Sequence, residues 1–286
     1  MKQDKLIAFI LMLVALSAMT GLALIAIFIV KEGLPFIFHI GPANFFLSTD
    51  WQPSQGKYGI LAFIVGSAAV MVGAMVIGLV FSLACAIVLT QFCPKRLVAI
   101  LKPCIELLAG IPSVVYGFMG VVTLIPLISY YHGGNGSSVL AASIVLGIMV
   151  LPTITSISVD AFQSVPKSYP EGSIALGATR WQTTRMVMLP AARSGIVAAV
   201  ILGMGRAIGE TMAVIMVAGN ALAIPTGIFA PVRTLTSNIG LEIGYATGLH
   251  QQALFATGLT LFVIIMILNS IALHVSRRRA RSGGAQ

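Results

Sequence analysis

Apolar residues dominate six long runs of the chain, at 6–30, 58–92, 107–131, 139–159, 191–219 and 251–275, with polar residues gathered between them. Each run is near or above the roughly 20 helical residues that cross a bilayer core. The pattern predicts an all-α integral membrane protein, a single domain of six transmembrane helices over 1–286. The first run follows Lys2 and Lys5, as a signal peptide does. Its apolar stretch is far longer than a signal core of about 7–15 residues, so it reads as an uncleaved first span.

Composition agrees, with 58% hydrophobic residues, 9% charged residues and a mean hydropathy of +1.00. A soluble chain would carry roughly a quarter charged residues. Cys85, Cys93 and Cys104 form no CxxC pair, and His39, His132, His250 and His274 lack ligand spacing, so neither a metal site nor a disulfide framework is expected. With the N-terminus inside, the cytoplasmic segments hold 13 of the 17 Lys and Arg residues (Lys2, Lys5, Lys95, Arg96, Lys102, Lys167, Arg180, Arg185, Arg193, Arg277, Arg278, Arg279 and Arg281). The outer loops hold three, Lys31, Lys57 and Arg233. This asymmetry places both termini in the cytoplasm and makes the net charge of +9 a topology signal, with no call for nucleic acid.

The longest polar connection, 160–190, is cytoplasmic in this orientation and carries its own helix punctuation. Pro170 suits a first helical position, Glu171 a first turn, and Gly177 a stop. Thr179 and Gln182 have capping-box spacing, which predicts a second short helix running to Leu189 and stopping at Pro190. The caps alone fit an interfacial connector as well as a docking element. The chain has no GxxxxGK[ST] phosphate loop, so any ATP chemistry must come from another subunit.

The order Glu171, Gly177 six residues on, and then Leu189 and Pro190 resembles the EAA loop of ABC importer permeases, in which a short helix docks into a separate ATPase subunit. Gly172 and Ser173 stand where the name-giving alanines usually lie. That resemblance implies that Glu171, Gly177, Ala178, Leu189 and Pro190 couple to the ATPase. The run Pro112-Ser113-Val114-Val115-Tyr116-Gly117, the GRAIGETMAV run at 205–214 and the outer segment 230–246 resemble the phosphate-specific ABC permeases. Trp51-Gln52-Pro53 and the RTLTSN run at 233–238 are similar to the PstC type. The resemblance implies a type I ABC importer permease fold with a cytoplasmic coupling helix, set in the cell inner membrane and importing inorganic phosphate. It further implies a second permease of PstA type, a homodimeric ATPase of PstB type that binds the ATP and Mg, and an extracytoplasmic phosphate-binding protein of PstS type. This chain would then be non-catalytic, with no cofactor or metal of its own.

Charges inside the fifth run are the candidate chemistry. Treated as one continuous helix, it puts Arg206, Gly209 and Glu210 on a face of mostly small residues and Thr211 on the bulkier side. A charge at mid-membrane costs about 2.5–3.5 kcal/mol on insertion scales. An exposed i,i+4 pair returns only about 0.2–0.5 kcal/mol. Mutual pairing is therefore insufficient, and a wet cavity, further partners or a bound anion is expected. Arg206 and Glu210 read either as a buried strut or as a substrate path, Arg206 meeting an oxyanion and Glu210 anchoring it or reading the phosphate proton. Pro112, Ser113, Tyr116 and Gly117 read both as a helix break that permits close packing and as the family motif. An ATP-independent transporter or channel with the two charges as a relay explains the helix equally, but not the glycine-cornered loop. An intramembrane hydrolase lacks a nucleophile and base within the spans.

Overall fold

The computed structural model describes the backbone from Lys2 to Ser282 and side chains from Ile7 to Ile271, Lys95 excepted. The charged side chains of Lys2, Lys5, Lys95, Arg277, Arg278, Arg279 and Arg281 thus lie outside the described residues. Among the described residues five helices are long and apolar enough to cross a membrane, and a sixth crossing is made by a helix pair bent by 70°. The candidate site lies near the end of the second helix of that pair.

The first helix, α1 (Lys2–Ile40), does not end at Val30 but runs on through Lys31, Glu32 and Pro35. At about 1.5 Å per residue it exceeds the bilayer core, so its last turns stand clear on the outer side. There Phe36 and Ile37 are buried, whereas the helix is largely exposed from Ile7 to Phe28, as a lipid-facing span would be. A short helix α2 (Pro42–Leu47) and a two-residue hairpin, β1 (Trp51–Gln52) with β2 (Lys57–Tyr58), follow. The second run therefore begins as hairpin at Tyr58, and its helix α3 starts only at Leu61, continuing to Ile87 and through a π-helical turn to Phe92.

The third run is interrupted. Helix α4 (Lys95–Ala109) is amphipathic, tied at Lys102 to Asp160 by a 3.0 Å ion pair, and stops at Gly110. The chain resumes at α5 (Ser113–Met119) with Pro112 as its N-cap, then passes through a π-helical turn into α6 (Ile125–His132). Pro112 thus lies in a gap between helices, where its missing N–H costs nothing, and does not kink a continuous span from 107.

Helix α7 (Val139–Gln163), capped by the Ser138 hydroxyl, is the most buried span and packs on α3. Hydroxyls stitch the two helices: Ser143 Oγ donates to Val70 O, Ser82 Oγ to Leu151 O and Thr155 Oγ1 to Ser82 O. Such bonds and small residues supply the helix association that hydrophobicity cannot provide inside lipid.

The cytoplasmic segment folds as α8 (Ser168–Ala175), a corner at Gly177 with φ +86°, and α9 (Arg180–Thr183). Both halves of the capping box at Thr179 and Gln182 are formed. Pro170 is the third residue of α8, because that helix starts two residues ahead of the expected position. Nor does helical structure stop at Pro190. A π-helical turn (Thr184–Met188) leads into α10 (Leu189–Ala191), where Pro190 sits in a first turn that needs no donor from it. At Ala192 the chain bends by 70° into α11 (Arg193–Gly209). Helix α11 ends there, Glu210 is extended, and α12 (Met212–Val217) continues outward.

From Val217 the chain turns back inward. Gly219 pairs with Val232, and α13 (Leu235–Glu242) is wedged among α3, α12 and the last helix, α14 (Leu249–Ser282). The segment carrying Arg233 is therefore a re-entrant arm with a buried stretch from Thr234 to Asn238, where the sequence pattern suggests a plain outer loop.

Candidate functional site

Arg206 lies near the middle of the broken span formed by α11 and α12, three residues before α11 ends. Its Nη1 donates to Thr153 Oγ1 at 3.0 Å, and its Nη2 to Ala109 O at 3.5 Å. The two acceptors come from two helices that pack on each other, α7 and α4. Thr153 stands on α7 beside Pro152, and Ala109 ends α4 where the Gly110-Ile111-Pro112 gap leaves its carbonyl without a helical partner. The motif at 112–117 builds this gap: the Tyr116 hydroxyl reaches back to Leu108 O at 2.7 Å. Gly117 is packed so that a Cβ would lie 3.0 Å from Ala213 Cα, bringing α5 against α12.

Arg206 and Glu210 are not brought together. Among the described residues Arg206 stands in no ion pair, and Glu210 Oε1 accepts instead from Ala213 N at 3.1 Å, at the start of α12. The single-helix wheel fails because Glu210, at φ −71° and ψ +129°, leaves the helix. In this structure Arg206 and Glu210 thus form no strut, and Glu210 does not hold the arginine in place. Glu210 stabilises the second half of the break, a carboxylate at a helix start. Its own carbonyl accepts from Thr236 Oγ1 at 2.8 Å, and Thr211 Oγ1 donates to Gly209 O at 3.4 Å, so the break satisfies its own polar groups.

Arg206 is half-buried, and a guanidinium has five donors, of which two are engaged. Space opens beside it. A Cβ added at Gly205 or Gly209 would meet nothing within 4 Å. An arginine at mid-span with spare donors and an open, small-residue flank is suited to an oxyanion, which the planar guanidinium fork binds bidentately.

The residues expected to couple to an ATPase lie apart from this site. Glu171 is in the first turn of α8, Gly177 and Ala178 form the corner, and Leu189 and Pro190 lie on α10. Ser173 and Thr183 join α8 to α9 through a 3.0 Å hydroxyl pair. Around this frame Tyr169, Ile174, Leu176, Trp181 and Met186 are exposed, Leu176 at 91%. Exposed apolar side chains on a polar segment are a feature of protein or membrane interaction surfaces.

A second charged cluster has no counterpart in the sequence pattern. Glu242, 7% exposed, accepts from Arg233 Nη1 at 2.6 Å and Trp51 Nε1 at 2.9 Å, and pairs with His250 Nε2 at 2.8 Å. Arg233 also donates to Asn220 O and Asn238 Oδ1. Directly bonded partners in it lie up to 191 residues apart, so no local spacing announces them.

A helical bundle with a broken, charged span and a cytoplasmic glycine-cornered docking segment is the architecture of an ABC importer permease. Solved structures agree on the fold. The MetNI methionine ABC transporter, in an inward-facing form, superposes with a TM-score of 0.61 at 21% identity, over 77% of this chain and 95% of that one. A bacterial alginate ABC transporter in complex with a periplasmic protein superposes with a TM-score of 0.61 at 15% identity, over 93% and 94%.

The chain belongs to the family described as binding-protein-dependent transport system inner membrane component, which matches residues 78–281. It is 45% identical over 262 residues to the probable ABC transporter permease protein YqgH of Bacillus subtilis, covering 89% of this chain and 85% of that one. It is 39% identical to the phosphate transport system permease protein PstC of Mesorhizobium japonicum, over 84% and 80%. The protein is thus a multi-pass inner-membrane permease subunit.

Proposed function

We propose that this permease forms half of the translocation path of an ATP-driven inorganic phosphate importer, of the PstC type. The observation that carries the reading is Arg206, held at mid-span by neutral acceptors alone, with donors to spare and open space beside it. The likeness to PstC proteins supplies the substrate class. Glu210 Oε2 takes no hydrogen bond from the described residues, which leaves an acceptor for the proton of HPO4 or H2PO4 that sulfate lacks. A second permease of PstA type completes the path, and a phosphate-binding protein of PstS type delivers the anion outside. A homodimeric ATPase of PstB type, binding the ATP and Mg, docks on 168–190, where the exposed Leu176 and Trp181 flank the corner. Both termini of the chain lie in the cytoplasm. The test is uptake by the complex purified from native membrane and reconstituted. Phosphate, and not sulfate, is expected to accumulate, only with ATP and only with the ATPase and the binding protein present. ATP-independent flux would refute the importer assignment, and equal sulfate uptake would refute the substrate.

A further inference from the structure

The outer side of the break in the fifth span is covered by α13. At its inner end Thr236 Oγ1 donates to Glu210 O at 2.8 Å, and Leu235 N donates to Ser67 Oγ of α3 at 2.9 Å. At mid-helix, a Cβ on Gly240 would lie 2.7 Å from Thr211 Cγ2, so α13 is in direct contact with the broken segment. With eight residues, α13 is too short to be stable alone, and its position is set by what grips its ends. The outer grip is Glu242, whose carboxylate gathers Arg233, Trp51 and His250 from three separate segments.

Two observations distinguish this grip from a plain strut. Asn238 Nδ2 and Asn220 Oδ1, on the residues flanking the Arg233 guanidinium, are buried without partners, so the cluster is not optimised for stability alone. Asn220 is also the one non-glycine residue with positive φ, +53°, among the described residues. Asparagine adopts this left-handed backbone readily, so it marks a turn beside the cluster, and the unmet polar groups are what a second arrangement of α13 could satisfy.

We propose that Glu242 is a positioning residue that holds α13 down over the break, so that the outside reaches Arg206 only when α13 lifts. An anion entering from outside must pass this element, which rests on the permease reading above. The grip at Glu242 is electrostatic and shared by several donors, whereas the inner contacts are single hydroxyl bonds. The Glu242 end is therefore the stronger hold on α13, and weakening it frees the helix.

The test uses the assembled transporter in right-side-out membrane vesicles, with Cys85, Cys93 and Cys104 replaced by serine and Thr211→Cys as reporter. A membrane-impermeant maleimide is added outside. Labelling is expected to be slow with Glu242 intact and about tenfold faster in Glu242→Gln, the scale of one charge-assisted hydrogen bond. Trp51→Phe keeps the charge pair and the aromatic packing, and should speed labelling about fivefold, the scale of one neutral bond. An unchanged rate in assembled Glu242→Gln overturns the proposal, as does a lowered melting temperature without faster labelling. If Glu242→Gln fails to assemble, Trp51→Phe decides alone: faster labelling supports the latch and an unchanged rate overturns it. Phosphate uptake by the parent complex is measured alongside. Faster labelling in a complex that does not carry phosphate sustains the latch and sinks the substrate assignment, and unchanged labelling in one that does carry it has the reverse meaning.

Discussion

Two glycines five residues apart in the cytoplasmic segment should respond oppositely to the same substitution. Gly177 has φ +86°, and nothing lies within 4 Å of where its Cβ would be. Alanine there meets no crowding and pays only for the left-handed backbone, about 1–2 kcal/mol. Gly172 is equally open but lies inside α8 with ordinary helical backbone. Alanine there should stabilise the helix by about 0.5–1 kcal/mol. If the corner presents α8 to the ATPase, Gly177→Ala weakens ATPase binding by about 5–30-fold, while Gly172→Ala leaves it unchanged or slightly tighter. Titrating the ATPase subunit onto the purified permease pair, with transport-coupled ATP hydrolysis as a second readout, measures both. Equal effects of the two substitutions, in either direction, would refute the argument that backbone conformation at the corner sets docking.

Other expectations concern stability. Removing one partner of the buried Arg233–Glu242 pair by Arg233→Met should cost about 3–5 kcal/mol, and Arg233→Met with Glu242→Met should recover most of it, because no uncompensated charge remains. Thermal unfolding of the complex reads both, and simple additivity of the two single substitutions would contradict the pairing. Thr179→Ala deletes the N-cap of α9 and should cost about 1 kcal/mol locally. Limited proteolysis across 168–190 should then accelerate several-fold, and unchanged cleavage would show that the cap does not hold the segment.

Features that depend on neighbours in sequence were legible. The Thr179–Gln182 box, the left-handed turn at Gly177 and the existence of each long apolar run follow from residue type and spacing. What the pattern misses are interruptions that tertiary contacts satisfy. Hydropathy reads straight through Gly209-Glu210-Thr211, because the polar groups of the break are met by Ala213 and Thr236, one next in chain and one from a distant arm. The wheel therefore carried Glu210 to the side of Arg206, while the real acceptors of that arginine come from residues 53 and 97 positions away. The proline at 190 shows the same limit. It breaks a helix by rule, yet here it opens a new first turn after a π-helical one. Glu242 was invisible for the opposite reason: a single acid in an outer segment looks solvated until its donors from 51, 233 and 250 converge on it.

Everything claimed for transport rests on Arg206 meeting the anion. The most direct measurement is ATP-driven phosphate uptake by the reconstituted complex carrying Arg206→Gln, with assembly and basal ATP hydrolysis checked in the same preparation. Gln keeps a polar amide at this position but is shorter than arginine and offers no charge and no guanidinium fork. The account predicts an assembled complex that hydrolyses ATP and imports no phosphate. Normal phosphate uptake by that complex would contradict it.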